Sequence, residues 1–271
     1  MNSLTTIGAI LAAMAAIAVL ETAIPLHARG RWNRAHLGPN LALTFITFAT
    51  NAVFGAALVA MLAWQQTSGL GLLRLFSLPP WLELVIVAGV LDFSFYVTHV
   101  SMHKVSSFWR FHRVHHSDPA VDVTTTVRQH PGESVIRYVS LAVFASALGA
   151  SPGAFAVYRA LVALNGLLEH ANLRAPLWLD RLLSLVTTWP TLHKVHHSRV
   201  AAQTDSNYGN LLSIWDRLFS TFTPVHVGAN VVYGLEGFDD PALQTTPGLL
   251  ALPFRGAELA QLPVRSPHAH A

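Results

Sequence analysis

The chain has 271 residues, of which 52% are hydrophobic and only 11% charged. So few charges point to a membrane protein over a soluble domain, and a formal net charge of +3 gives little reason to expect a nucleic-acid partner. The absence of cysteine excludes disulfides and thiolate iron–sulfur or rubredoxin-type sites within the chain. Any electron carrier must therefore be external, and no phosphate-binding glycine signature indicates a dinucleotide domain.

Residues 4–20 carry no charge, and no Lys or Arg precedes them, so they are expected to form a spanning helix in preference to a cleaved signal peptide. The following loop, HARGRWNRAH, carries Arg29, Arg31 and Arg34 and is assigned to the cytoplasmic side. Residues 40–64 cross back, leaving the 65–80 loop outside with Arg74 alone. Residues 81–98 form a third span, with Glu83 near its mouth and Asp92 inside it, and it ends on His99.

The stretch from His99 to Glu133 is polar, rich in His and Arg, and assigned to the cytoplasm. In the apolar stretch that follows, Ser151-Pro152-Gly153 combines a capping residue with proline at the first helical position, which starts a new helix. Two short helices, 135–149 and 153–170, are expected, joined by a tight turn that returns His170 to the cytoplasmic side. Arg159 must then snorkel or face protein. Residues 174–225 alternate charge with apolar positions, as helices lying on or near a membrane surface do. The expected fold is all-α, a polytopic membrane bundle with a cytoplasmic helical cap. Residues 1–80 would form the N-terminal spans and loop, 81–255 the catalytic domain, and 256–271 a frayed tail ending in SPHAHA.

Fifteen histidines stand out against this background, nine of them clustered. His99 and His103 are four residues apart near a helix end, so both project from one face. FHRVHH supplies His112, His115 and His116, and LHKVHH supplies His193, His196 and His197, each as a triplet that fits one side of a helical turn. His170, at the end of the last membrane helix, makes nine. Zinc takes four ligands and other first-row metals up to about six, so nine nitrogens suit two ions. A lone HxxxH is as often packing as a ligand pair, whereas four clusters on one side of the membrane point to metal.

Carboxylates near the clusters are few: Asp92, Asp118, Glu133 and Glu169. A neutral, nitrogen-rich site suits redox-active iron, with zinc possible in isolated protein. Asp92 and Tyr96 share a helical stripe with His99, and Asp92 is expected to accept the second N–H of a ligand histidine. His130, in RQHPGE with Arg128 and Glu133, is expected to support the site by hydrogen bonding and not to be a tenth ligand. Asp118, just before Pro119, is expected to form a turn.

His99-xxx-His103, WRFHRVHHSDPAVDVTTTVRQHPGE, the EHAN segment around His170, LHKVHHS with NYGNLLSIWDRLFSTF, and VYGLEGFDDP together resemble the fatty acid hydroxylase / sterol desaturase superfamily of integral-membrane di-iron enzymes. The resemblance covers about residues 90–255. It implies that the nine clustered histidines hold two irons on the cytoplasmic face, in a bacterial inner membrane. It further implies O2 activation with electrons from a separate cytochrome, ferredoxin or rubredoxin-type donor. The implied substrate is a membrane lipid, such as a fatty acyl chain or a sterol-like molecule, which is hydroxylated or desaturated. Two alternatives differ in class. One is a zinc-dependent membrane hydrolase with Glu133 or Glu169 as base; the other is a non-enzymatic metal or haem carrier, which should place histidines along a path at the bilayer midplane.

Overall fold

A computed structural model describes residues 3–28, 32–224 and 231–255, with the side chains of 3, 4 and 32–34 outside that description. Arg29 and Arg31, the Arg34 side chain, His226, and the 256–271 tail with His268 and His270 lie outside the described residues. The described chain is helical, with isolated bridges and no strand. Its helices are α1 (Ser3–Ala23), α2 (Trp32–Ser68), α3 (Pro80–Lys104), α4 (Ser106–His116), α5 (Pro131–Leu148), α6 (Pro152–His170), α7 (Leu177–Leu183), α8 (Pro190–His196), α9 (Ala201–Thr204), α10 (Ile214–Leu218) and α11 (Thr246–Ala251).

Three of them, α1, α2 and α3, are long and apolar enough to cross a membrane. α2 is longer than its expected span: 37 residues rise about 55 Å, well beyond the roughly 30 Å of a hydrocarbon core. The surplus is its N-terminal end, which climbs beside the cap and buries His36 and Asn40 there.

The α5–α6 hairpin forms where the sequence signals it. Pro131 opens α5, Gly149 closes it in the left-handed region at φ 66°, and the Ser151 hydroxyl accepts from Ala154 N to start α6. The tip of this hairpin meets the loop between α2 and α3. A Cβ on Gly71 would fall 2.2 Å from Gly149 Cα, so two glycines are what permit the approach. Glu83 ties the same corner, accepting from Arg74 at 2.6 Å and from Ser151 N at 3.0 Å. The hairpin therefore reaches as deep as the α2–α3 pair. Arg159 faces protein, with its guanidinium 5.5 Å from the Tyr138 ring centroid.

Leu62, Val87, Leu91, Ala145 and Tyr158 fill the space between α2, α3, α5 and α6. Small hydroxyls join the helices where lipid offers no hydrophobic drive between them. Thr98 donates to Ser140 at 2.7 Å, and Tyr158 donates to Leu91 O at 2.9 Å. Above the bundle, α1 fastens the cap through Glu21, whose Oε1 accepts from both Val123 N and Asn172 N at 2.8 Å.

Candidate metal centre

Four helices converge at the junction of bundle and cap, each contributing by its end. The last two turns of α3 bring His99 and His103, α4 brings His112, His115 and His116, α6 ends on His170, and α8 with its cap brings His193, His196 and His197. All nine are buried. They sort into two groups, His99, His103, His112, His116 and His196 in one and His115, His170, His193 and His197 in the other. Within each group the donor nitrogens lie within 4.8 Å of one another. The groups are neighbours, since the His116 and His197 rings stack with centroids 4.6 Å apart.

The inward atoms are mostly Nε2. His112 Nε2 lies 3.0 Å from His99 Nε2 and 3.1 Å from His116 Nε2. In the other group His170 Nε2 lies 3.1 Å from His115 Nε2 and 3.0 Å from His193 Nε2. Three outward nitrogens face backbone carbonyls: His99 Nδ1 is 2.7 Å from Tyr208 O, His196 Nδ1 2.7 Å from Ser206 O, and His170 Nδ1 2.8 Å from Gly166 O. A carbonyl can only accept, so the proton sits on Nδ1 and the Nε2 lone pair points inward. The bare Nε2 atoms of His99 and His170 thus face the Nε2 atoms of His112 and His193 across 3.0 Å. That arrangement fits a cation: ligands about 2.1 Å from an ion stand about 3.0 Å apart at neighbouring octahedral positions. The inward Nε2 atoms of His196 and His103 find no hydrogen-bond partner in the protein.

Burial keeps the ligating form. It pushes the imidazoles of His112, His115, His116, His193 and His197 well below the usual histidine range, and His196 down to about 4. Neutral imidazole is the form that binds metal. Carboxylates stand behind two of the rings, Glu133 Oε1 at 3.2 Å from His112 Nδ1 and Asp205 Oδ1 at 3.4 Å from His103 Nδ1. Glu169 Oε1 lies 3.7 Å from His170 Nδ1 and is held by Asn210 at 3.0 Å.

The supporting residues expected from sequence land in different places. Asp92 does not reach His99, which departs from expectation. Its carboxylate accepts from Leu211 N, Leu212 N and Trp215 Nε1, at 3.1, 3.1 and 2.8 Å. Asp92 thereby pins the loop that carries Tyr208 and Ser206, and its relation to His99 runs through that loop. Tyr96 likewise bonds Thr221 at 3.0 Å and sets its ring edge against Tyr208. His130 caps α5 by accepting from Gly132 N, and its Nε2 lies 3.2 Å from Leu250 O. Arg128 is fully buried and donates to Val114 O, Asn40 Oδ1, Ser117 Oγ and Gln244 Oε1, clamping the end of α4. Only Glu133 of this set faces a clustered histidine directly.

Asp118 is no surface turn former. It is buried, 2.8 Å from His36 Nδ1, and accepts from Asn40 and Thr125, each at 2.8 Å. Burial alone would raise its carboxyl, but His36 and Arg128 facing it hold it well below the usual carboxylate range. Sequence reasoning left out His36, Asn40, Asp205 and Lys194. Lys194, buried on α8, donates to Val121 O at 3.0 Å and to His170 O at 2.5 Å, tying α8 to the end of α6 and to the loop after α4. Burial lowers its ammonium to about 7. A polar pair four residues apart at the head of an apolar helix, His36 and Asn40, was the available signal for the first two.

Residues 84–221 match the family model described as fatty acid hydroxylase. Among curated proteins, the ornithine lipid hydroxylase OlsE of Rhizobium tropici is 34% identical over 144 residues, covering 53% of this chain and 43% of that protein. The alkylglycerol monooxygenase of Homo sapiens is 35% identical over 169 residues, covering 60% of this chain and 35% of that protein. The fatty acid hydroxylase vlmA of Lecanicillium sp is 28% identical over 144 residues, covering 49% and 39%. The chain thus spans less than half the length of these relatives, and no solved structure matches it. The family match takes in half of the chain and every clustered histidine, and the chain belongs to the fatty acid hydroxylase family.

Proposed function

We propose that the protein is a membrane-bound lipid hydroxylase whose nine histidines hold two iron ions. The observation that carries this reading is the pair of adjacent, nitrogen-only groups with inward ring nitrogens 3.0–3.3 Å apart. Carboxylate-bridged di-iron sites in helical bundles use Glu with Glu-x-x-His pairs, and no carboxylate lies inside either group. The names of the three relatives above, an ornithine lipid hydroxylase, an alkylglycerol monooxygenase and a fatty acid hydroxylase, favour an oxygen-dependent reaction on a lipid. When bound, two irons supply the one-electron and O2 chemistry that side chains lack.

The chain's own residues prepare that site. Burial holds the imidazoles neutral, and the carbonyls of Tyr208, Ser206 and Gly166 fix the tautomers of His99, His196 and His170. Glu133 and Asp205 stand where they would strengthen the His112 and His103 donors. The complete burial of the ligands excludes bulk water from reactive species. The chain has no cysteine to hold an iron–sulfur carrier of its own, and we assign the electron supply to a separate donor. We assign the cap to the cytoplasmic side of a multi-pass protein, and residues 81–255 to the catalytic unit.

The test is to grow cells expressing the protein under isotopically labelled O2 and to profile their lipids by mass spectrometry. Label should enter a lipid as hydroxyl in cells with the wild-type chain and not with His112→Ala at equal membrane abundance. Identical profiles for the two would refute the reading.

A further inference from the structure

Asp92 of α3 and Asn165 of α6 grip two non-helical stretches, 187–188 and 210–212, at the same height in the bundle. Asp92 accepts from Leu211 N and Leu212 N. Asn165 donates to Thr188 O at 3.2 Å and to Asn210 O at 2.7 Å, and accepts from Thr187 Oγ1 at 3.1 Å. The gripped chain is closed on itself. Ser213 N donates to Val186 O, and the Ser213 hydroxyl and the Arg217 guanidinium both donate to Ser184 O.

The height can be counted from the far end of the bundle, which the meeting of the α2–α3 loop with the hairpin tip marks. At 1.5 Å per residue, Asp92 is about 18 Å up α3 from Pro80, and Asn165 about 20 Å up α6 from Pro152. A hydrocarbon core is about 30 Å thick. A membrane surface at Asp92 would leave α3 only about 18 Å to cross it, so both anchors belong inside the core.

The side chains agree with that depth. Leu185, Val186, Ile214 and Leu218 are exposed, with Leu182 and Trp178 of α7 leading down to them. Leu161 and Leu164 of α6, the helix that carries Asn165, are exposed as well. Arg181 of α7 is exposed beside Leu182, whereas the charged groups of the 210–219 stretch point the other way. Asp216 turns inward to Tyr208 N and Gly209 N, and Arg217 lies against the Phe222 ring at 4.1 Å. Non-helical backbone tolerates membrane depth only where protein satisfies it, and here α3, α6 and Arg217 do so.

We propose that residues 184–188 and 210–219 form a re-entrant wedge seated in the hydrocarbon layer between α3 and α6. The partner of this face is the acyl-chain region of the bilayer, not water or a second protein. The loop that ends in this wedge presents the Tyr208 and Ser206 carbonyls to His99 and His196, so the seating of the wedge in lipid and the orientation of two clustered histidines are linked. The inference rests on the membrane reading of α3 and α6, and deepens it.

The cysteine-free chain allows single spin labels. Leu185→Cys and Leu218→Cys would be labelled in protein reconstituted into phosphatidylcholine vesicles. Leu161→Cys serves as the lipid reference and Glu236→Cys, exposed on the cap, as the aqueous one. Power saturation would be measured with O2 and with a water-soluble nickel chelate. The ratio of oxygen to nickel accessibility at Leu185 and Leu218 should shift from the Glu236 value to the Leu161 value. Nickel accessibility at either position equal to that at Glu236, with Leu161 still lipid-like, would overturn the wedge alone. A water-like Leu161 would overturn the membrane reading of α6 and the wedge with it. Strong dipolar broadening together with low accessibility of both positions to oxygen and nickel alike would indicate a second copy on this face and also overturn the proposal.

Discussion

Glu133 Oε1 stands 3.2 Å from His112 Nδ1, and both groups are buried completely. Arg137, one turn further along α5, donates to the same oxygen at 2.8 Å and keeps the carboxylate in place. Replacing Glu133 by Gln should preserve shape and remove the charge behind the ring, lowering metal affinity or turnover about 10–100-fold. Metal content and activity per folded molecule check this. Wild-type values for both would mean that Glu133 serves only Arg137.

Asp92 has a structural task and no direct one at the metal. Asp92→Ala strips an acceptor from Leu211 N, Leu212 N and Trp215 Nε1 and should cost about 3 kcal/mol of stability. Asp92→Asn keeps one acceptor oxygen and should cost less. Denaturant midpoints in detergent give the ranking. Equal midpoints for wild type and Asp92→Ala would contradict it.

Asp118 and His36 join α2 to the end of α4. Removing one partner of a buried ionic contact typically costs about 3–5 kcal/mol, so Asp118→Asn should lower stability by that order at neutral pH. The folded carboxyl sits well below the ordinary range. Its contribution is therefore complete above the unfolded value near pH 4 and declines as pH falls below it, because the unfolded chain takes up the proton first. Asp118→Asn should lack this part of the acid loss. Unfolding midpoints from about pH 3 to 6 test it, and parallel curves for the two proteins would contradict the assignment.

The apolar runs and Ser151-Pro152-Gly153 made α1, α2, α3 and the α5–α6 hairpin legible, and the i, i+4 spacing marked the histidines that converge. Residues that act at long range were not legible. Asp118 precedes a proline and carries a local turn signal, but its partner His36 is on α2. Asp92 shares a stripe with His99, yet seven residues along a helix amount to about 10 Å, beyond any hydrogen bond. The acceptors that orient His99, His170 and His196 are backbone carbonyls. A carbonyl belongs to every residue type, so sequence gives it no signature.

The most direct test of the central claim is metal content with oxidation state, measured on protein purified without oxygen in mild detergent. Elemental analysis should find about two ions per chain, in keeping with two nitrogen groups, with an iron spectrum showing two nitrogen-ligated sites. His115→Ala should lose the ion of the four-histidine group first, and His196→Ala that of the five-histidine group. A wild-type stoichiometry of one or none, or full iron loading in both variants, would contradict a site shared by the nine histidines.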